Sequence, residues 1–453
     1  MKLERLHLRN FRCFDDLTLD FGKRLTVIIA DNGAGKTALL DAIAIGFGRY
    51  LTKLPGVAGL AHKSTDLRVA SGERSQPFLF LAWEARTHDG EAVVWAAERK
   101  RDGAVTSGAI RQQLSEEQQP LLSRGMKDLD RFTVNLVQAE SDQRPYFLPV
   151  IAYYGTNRAI REDVQRRRGF KKSFARFDAL TGALSPDSRF RAAFEWFNAM
   201  EDAERRERDA RRDFDYRLPE LEVVRNAIER MLPGYTNPRT AIRPLRFVID
   251  KTMPDGNVST LRISQLSDGY RVVLGLTMDL ARRMAQANSA PLPASLVNEG
   301  PLDLPAIVLI DEVDLHLHPR WQQRIVTDLM QTFTKTQFIL TTHSPQVLST
   351  VKRENVRVLG VDVEGKAIAQ PPLGTTYGEP SGDVMKSVML VDPQPPVEER
   401  ADLLRLTEWV DQGHHDREDA VALMRQLQLK LGERHPQLQR LQRSIRRQEL
   451  LKR

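Results

Sequence analysis

An α/β fold built on a largely parallel sheet is predicted by three features of this chain. Leu25-Thr-Val-Ile-Ile29 is an apolar, β-branched run that passes through the Gly- and Asn-rich turn Ala30-Asp-Asn-Gly-Ala-Gly-Lys-Thr37 into Ala38-Leu-Leu-Asp-Ala-Ile43. The last segment has helical period, so the three read as strand, phosphate loop and helix of a P-loop. Ala306-Ile-Val-Leu-Ile310 and Phe338-Ile-Leu-Thr-Thr342 are continuous apolar runs of the kind found in buried parallel strands. The helical pattern from Trp321 to Phe333 joins them as a βαβ unit. An antiparallel β lobe is predicted separately. Its signals are the alternating runs Leu3–Leu8 and Leu17–Phe21 and the pair Phe78–Ala85 and Glu91–Glu98, joined by Thr87-His-Asp-Gly90 as a hairpin.

With 453 residues the chain has room for more than one core. The expected division is an N-terminal lobe over 1–157, an inserted helical subdomain over 158–235, a C-terminal lobe over 236–370, and a linker with a helical tail over 371–453. Hydrophobic residues make up 41% and charged residues 28%, the composition of a globular protein. No apolar run approaches the roughly 20 residues that cross a bilayer, and the first residues lack a signal peptide's apolar region. No membrane partner is expected, and the expected location is the cytoplasm. A single cysteine, Cys13, excludes a disulfide framework and a Cys-based zinc site within one chain. The net charge of +7, from 67 basic and 60 acidic side chains, permits nucleic-acid contact without requiring it.

Taken in order, the N-terminal runs lead into the P-loop strand, with Arg12 in the turn Asn10-Phe-Arg-Cys-Phe14. Arg12 is either an approach to bound nucleotide or a solvated turn residue. Leu148-Pro-Val-Ile-Ala-Tyr-Tyr154 reads as a strand ending in Gly155-Thr-Asn157-Arg158. Beyond it Arg158, Arg161, Arg166, Arg167, Arg168, Lys171 and Lys172 face only Glu162 and Asp163, which suits either phosphate contact or a solvated basic loop. Glu204–Arg212 alternates sign, as a helix laced with i,i+3 and i,i+4 pairs does. Phe174, Phe177, Phe190, Phe194, Trp196 and Phe197 supply that block with an apolar face. Leu245–Ile249 returns to strand, Leu274–Met284 is an amphipathic helix, and 286–304 is a loop. The tail carries apolar residues at Leu403, Leu404, Leu406 and Trp409 and then at Leu423, Leu427, Leu431, Leu438, Leu441 and Ile445, a stripe that either packs on the chain itself or docks a partner.

The chemistry concentrates at strand ends. Gly33 and Gly35 allow close backbone approach to phosphate, and Asn32 and Ala34 complete the loop whose N–H groups face the anion at the helix start. Lys36 would reach the β- and γ-phosphates and the Thr37 hydroxyl would ligate Mg²⁺. The first loop position, usually Gly, is Ala30. The strand 306–310 ends in Asp311 and Glu312, and adjacent carboxylates at the carboxyl end of a buried strand call for a cation or a reactive water. Asp311 is expected to hold Mg²⁺ and Glu312 to polarise the attacking water. His316 and His318 beside them are open to a metal or a capping reading. Asp362 and Glu364 read as a hairpin turn.

Five stretches, among them the P-loop and the paired acids, resemble the motifs of ABC-type ATPases within the wider AAA class. Leu266-Ser-Asp-Gly-Tyr-Arg271 is similar to the signature motif, with Asp268 where many members have Gly. Val313-Asp314 is similar to the D-loop, and Thr341-Thr-His343 to the switch-histidine motif. With the P-loop and the paired acids they span residues 26–346. Leu8-Arg-Asn-Phe-Arg-Cys-Phe14 and Asp311-Glu-Val-Asp-Leu-His-Leu-His-Pro319 narrow the resemblance to RecF- and SMC-like ATPases. Nearest are those of overcoming-lysogenization proteins and of Septu and retron-associated anti-phage systems.

The resemblance implies an ABC-type head that binds ATP and Mg²⁺ and hydrolyses ATP. It implies a homodimer, or a higher oligomer, in which Ser267, Asp268 and Gly269 of one copy close on the nucleotide held by another. His343 would read the γ-phosphate in that arrangement. The family's Gln-bearing loop has its place at Gly155–Arg158, which carries no Gln; Asn157 stands there, with Gln138 as the alternative. The implied companions are a separate HNH-type nuclease and a reverse transcriptase with its nucleic acid. The alternative is a DNA-repair or chromosome-associated ATPase of the same class. An autonomous nuclease is the rival from a different class, and a transporter subunit is disfavoured by the inserted helical block.

Overall fold

Six strands form the sheet that carries the candidate site, in the order β13-β12-β3-β11-β10-β6. The structure, a computed structural model, describes residues 1–69, 75–158, 174–186, 190–289 and 291–451. The chain opens with β1 (Lys2–Phe11), β2 (Phe14–Asp20) and β3 (Leu25–Ile29), followed by α1 (Lys36–Thr52). Next come β4 (Phe78–Arg86), β5 (Ala92–Lys100), α2 (Ser107–Gln113), α3 (Gln118–Arg124), α4 (Lys127–Ser141) and β6 (Val150–Tyr154). The middle comprises α5 (Phe190–Arg211), α6 (Pro219–Met231), β7 (Tyr235–Ile242), β8 (Leu245–Thr252), β9 (Val258–Arg262) and α7 (Asp268–Ala287). Then follow β10 (Ala306–Ile310), α8 (Pro319–Gln322), α9 (Ile325–Thr332), β11 (Gln337–Thr341) and α10 (Pro345–Leu348). The chain ends with β12 (Val356–Val361), β13 (Ala367–Gln370), α11 (Ser381–Ser387), α12 (Arg400–Asp411), α13 (Glu418–Leu431) and α14 (Pro436–Leu451).

Strands β12, β3, β11, β10 and β6 run parallel, and only β13 is antiparallel to its neighbour. Four of these five, β3, β11, β10 and β6, are buried at every residue, which explains why they read as unbroken apolar runs. In register Ile310 lies opposite Tyr154 and Leu340, and Thr341 opposite Ile28, so the strands release their chains along one edge. A second sheet, β2-β1-β4-β5, is wholly antiparallel, and β7-β8-β9 form a third.

The antiparallel lobe holds the P-loop helix in place. Trp83 and Trp95, opposite each other on β4 and β5, stack at 5.8 Å and donate their indole N–H groups to the carbonyls of Ala42 and Gly46 on α1, at 3.1 and 3.2 Å. Gln337 ties the two sheets at their base: it accepts from Leu3 N–H at 2.8 Å and donates to the carbonyls of Leu3 and Gly22 at 2.7 and 2.9 Å. With these partners the oxygen and the nitrogen of the buried Gln337 amide are both satisfied.

The helical block after β6 shares the main core. Phe190, Phe194, Trp196 and Phe197 of α5 and Leu221, Val224 and Ile228 of α6 join the cluster that lies under the six-stranded sheet. Both helices pack on α7, which explains why α7 is buried along nearly its whole length rather than on one face. The alternating charges of α5 do form i,i+4 pairs, as in Arg208–Glu204 at 2.7 Å and Arg211–Glu207 at 2.9 Å. Glu201 and Glu204 nevertheless face inward, where Arg225 of α6 bridges them.

Inside α7 the buried Arg282 and Arg283 both bind Asp279, at 2.6 and 2.7 Å, and Asp279 accepts the Tyr154 hydroxyl at 3.0 Å. Burial alone would raise the Asp279 pKa; the two guanidinium groups outweigh it and hold the carboxyl at about 2.

Residues 1–389 form one compact unit and 390–453 another. In the second unit α12, α13 and α14 bury Leu403, Leu406, Val410, Leu427 and Leu438 against one another. The apolar stripe of the tail thus has an occupant within its own unit. No helix among the described residues is long and apolar enough to cross a membrane.

Candidate functional site

The loop between β3 and α1 is where the fold brings its chemistry together. Gly33 and Gly35 hold φ at 81° and 98°, the left-handed region that glycine enters without penalty. At Gly35 a second constraint applies, because a Cβ would stand 2.4 Å from Cys13 Sγ and 2.7 Å from Phe14 Cζ. The strand turn 10–14 therefore presses against the loop, and side chains larger than hydrogen are excluded there.

Asn32 and Gly33 are exposed and Ala34 is half-buried, while Lys36 is buried. The Lys36 ammonium donates to the carbonyls of Ala30 and Asp31, each at 3.0 Å, so it lies folded over the loop it belongs to. Burial lowers its pKa, against the pull of Asp311, Glu312 and Asp31. Thr37 donates its hydroxyl to Asp311 Oδ2 at 2.7 Å. That bond joins two residues distant in sequence, and it puts two hard oxygen donors side by side, the pairing suited to Mg²⁺.

Asp311 follows β10, is buried, and donates its N–H to the carbonyl of Tyr154 at 2.8 Å. Its other oxygen, Oδ1, accepts the Thr341 hydroxyl at 2.6 Å. Thr341 in turn accepts the Glu312 N–H at 2.7 Å. Glu312 is half-buried and holds φ at +49°, a left-handed conformation for a residue with a side chain. Such a conformation costs roughly 1–3 kcal/mol and persists only where the surroundings enforce it. His343, two residues past Thr341 and half-buried, leaves the adjacent strand at the same edge. Asp314 accepts the Thr342 hydroxyl, which locks the turn after Glu312 to the turn after β11.

The signature residues stand at the start of α7. Ser267 is the N-cap and is exposed; Asp268, also exposed, pairs with Arg271 at 3.4 Å. A Cβ on Gly269 would come within 2.9 Å of the His316 carbonyl, so that position accommodates the loop that follows the acids. Tyr270 fixes the helix start by packing on Tyr235 and Trp321, at 5.0 and 4.9 Å between ring centres. Among the described residues no hydrogen bond or ion pair joins Ser267, Asp268 or Gly269 to residues 30–37, in contrast to Thr37 and Asp311, which touch.

Several expectations are resolved differently. The Arg12 guanidinium, partly exposed, binds Asp41 of α1 at 2.6 Å and Asp66 at 2.9 Å. Burial works against its charge, but the two carboxylates prevail and raise its pKa. Arg12 thereby braces the P-loop helix from the side. Arg158 belongs to no exposed basic cluster; it is 2% exposed and donates to the carbonyls of Gly155, Asp311 and Glu312. Asn157 beside it is exposed, and Gln138 lies exposed on α4, bound to Asp142 at 2.8 Å. His318 caps α8 through Nδ1, and no metal-binding group of His, Cys, Asp and Glu occurs among the described residues. Asp362 accepts the N–H groups of Glu364 and Lys366 at 2.9 Å each, closing the β12–β13 turn. Arg161, Arg166, Arg167, Arg168, Lys171 and Lys172 lie outside the described residues.

Two residues of the site went unread in the sequence, Arg158 as a partner of the acids and Thr341 as the link between them. The available signal was positional: both sit at carboxyl ends of strands that flank β10.

An AAA domain family model matches residues 5–231, and a second AAA-domain model matches 161–349. The chain is 27% identical over 475 residues to the "Retron Ec83 probable ATPase" of Escherichia coli, covering 89% of this chain and 79% of that protein. It is 26% identical over 433 residues to the "Retron Vc95 probable ATPase" of Vibrio cholerae, covering 85% and 78%. It is 24% identical over 383 residues to the Septu protein PtuA of Bacillus mycoides, covering 83% of this chain and 43% of that protein.

Proposed function

The chain belongs to the AAA-domain family, and from that premise we propose that it binds and hydrolyses ATP between two copies of itself and gates a separate nuclease in an anti-phage defence assembly. The observation that carries the ATPase reading is the Thr37–Asp311 hydrogen bond of 2.7 Å, which closes the P-loop onto the strand-end acids. A phosphoryl-transfer site works by positioning and charge stabilisation, and each part has its residue here. Lys36 and the loop N–H groups of residues 33–37 bind phosphate, and Glu312 orients and deprotonates the attacking water. His343 stands at the neighbouring strand end to contact the transferred group. The Thr37 hydroxyl and the Asp311 carboxylate would hold Mg²⁺, which neutralises phosphate charge when bound.

The signature residues complete the site from a second copy. Ser267 is exposed and its hydroxyl caps nothing in its own helix, so it is available to a nucleotide held by another chain. The retron and Septu names of the relatives support the defence reading; an HNH-type nuclease and a reverse transcriptase with its nucleic acid are the companions we propose. The purified chain is expected to hydrolyse ATP in the presence of Mg²⁺ without added DNA and to leave DNA uncut. Turnover seen only with DNA would favour the DNA-repair reading, and no turnover under either condition would refute the ATPase.

We propose the basic run 166–172 as the place of any direct nucleic-acid contact, with a solvated loop as its other reading. Replacing Arg166, Arg167, Arg168, Lys171 and Lys172 by Ala should weaken DNA or RNA binding and flatten its salt dependence, the log–log slope falling by about one for each phosphate that is no longer neutralised. Equal slopes for the two proteins in a salt titration would remove these residues from the interface.

A further inference from the structure

Arg158 occupies an unusual place for a guanidinium. Arg158 lines a small, mostly apolar cavity with Met231, Val272, Val273, Leu276, Ile310 and Val313, residues from α6, α7, β10 and the turn after β10. Its fork is spent on main-chain oxygens rather than on a carboxylate: Nη1 donates to Gly155 and Asp311, and Nη2 to Glu312. Burial draws its pKa down to about 10, with Asp311, Asp314 and Glu312 opposing, so it stays cationic at neutral pH. Thr341, fully buried, binds the other side of the same peptide segment, accepting from the Glu312 N–H and donating to Asp311 Oδ1. Glu312 is thus held by its amide and by its carbonyl in a conformation that the residue would otherwise leave.

We propose that Arg158 and Thr341 are positioning residues that clamp the Glu312 main chain in its left-handed conformation and thereby aim its carboxylate at the water that attacks the phosphate. The Arg fork meets two successive carbonyls with two separate, rigidly held nitrogens, Nη1 and Nη2, and the shorter lysine side chain offers a single nitrogen in their place. Apolar side chains around it exclude water, so these hydrogen bonds face little competition. Release of either hold would let the Glu312 peptide relax toward ordinary backbone angles and swing the carboxylate away. A displacement of about 1 Å at a reacting group is enough to cost on the order of 10²-fold in rate. The kinetic consequence rests on the ATPase reading; the clamp itself does not.

The test compares Arg158→Met, Arg158→Lys, Thr341→Val and Thr341→Ser with the wild type, at saturating ATP and Mg²⁺. Arg158→Met and Thr341→Val should lower kcat by about 10²-fold, and Arg158→Met should leave KM within about threefold, the pattern of an interaction that matters in the transition state. Thr341→Ser, which keeps the hydroxyl, should recover most of the loss seen with Val, whereas Arg158→Lys should recover little. Amide hydrogen exchange at Glu312 should speed up in Arg158→Met and Thr341→Val, a readout that needs no turnover. If Arg158→Met fails to fold, the Thr341 pair decides. Unchanged kcat in the folded variants overturns the clamp, as does a KM increase at constant kcat in Arg158→Met. A wild type without ATPase activity would refute the ATPase reading; unchanged exchange at Glu312 in the variants would then refute the clamp separately.

Discussion

Lys36→Ala is expected to abolish ATP binding at concentrations that saturate the wild type. The Lys36 ammonium lies buried at the mouth of the loop and already bonds to the carbonyls of Ala30 and Asp31 at 3.0 Å. It therefore has two tasks, to hold the loop in shape and to meet the phosphates. Removing one partner of a charge-assisted, largely desolvated pair costs roughly 2–5 kcal/mol, which is about thirty-fold to several thousand-fold in Kd. Loss of the loop's internal bonds adds to that. Helix α1 itself should survive, since Trp83, Trp95 and the Arg12–Asp41 pair secure it independently. Titration calorimetry with a non-hydrolysable ATP analogue, beside a thermal melt showing an intact fold, checks the prediction. An affinity equal to the wild type's would remove Lys36 from the site.

Glu312→Gln should separate binding from turnover. The hydrogen bonds that place residue 312 are made by its main chain, to Thr341 and Arg158, so a carboxamide occupies the position of the carboxylate. Lys36, Thr37 and Asp311 are untouched. ATP should bind, whereas hydrolysis should fall by about 10²–10⁴-fold, the usual contribution of a general base. If the nucleotide bridges two copies, the variant should accumulate as an ATP-dependent dimer, because the event that dissolves the contact no longer occurs. Adding Ser267→Arg should release that dimer: Ser267 is exposed at the start of α7, and a bulky cation there blocks the approach of the hydroxyl to a nucleotide on the partner. Sedimentation with ATP and Mg²⁺ reads both outcomes. Association that does not rise with ATP in Glu312→Gln, or that persists in the double variant, rules out the sandwiched nucleotide.

The parts of this molecule that were legible in its residue order share a property: their chemistry demands particular side chains at particular spacings. A phosphate loop needs backbone freedom at Gly33 and Gly35, a cation at Lys36 and a hydroxyl at Thr37, and no rearrangement elsewhere substitutes for them. A strand covered on both faces is largely apolar, so β3, β10 and β11 declared themselves, as did the acids that β10 delivers to the crevice. The hairpin of β4 and β5 was visible through local alternation and its Asp-Gly turn.

Charged residues outside such motifs behaved otherwise, because composition does not say which partner a long side chain will meet. Arg158 stands at the head of a basic run, yet parallel pairing of β6 with β10 carries it under the Asp311 and Glu312 carbonyls. Arg12 has the same charge and ends between Asp41 and Asp66, groups 29 and 54 positions away along the chain. Glu201 and Glu204 sit in an alternating-charge helix, but docking of α6 turns them inward to Arg225. Short-range periodicity thus specified the strands, helices and phosphate loop of this protein. Long-range packing assigned the arginines, since an ion pair or a buried fork depends on distance in space, and residue order carries no direct record of it.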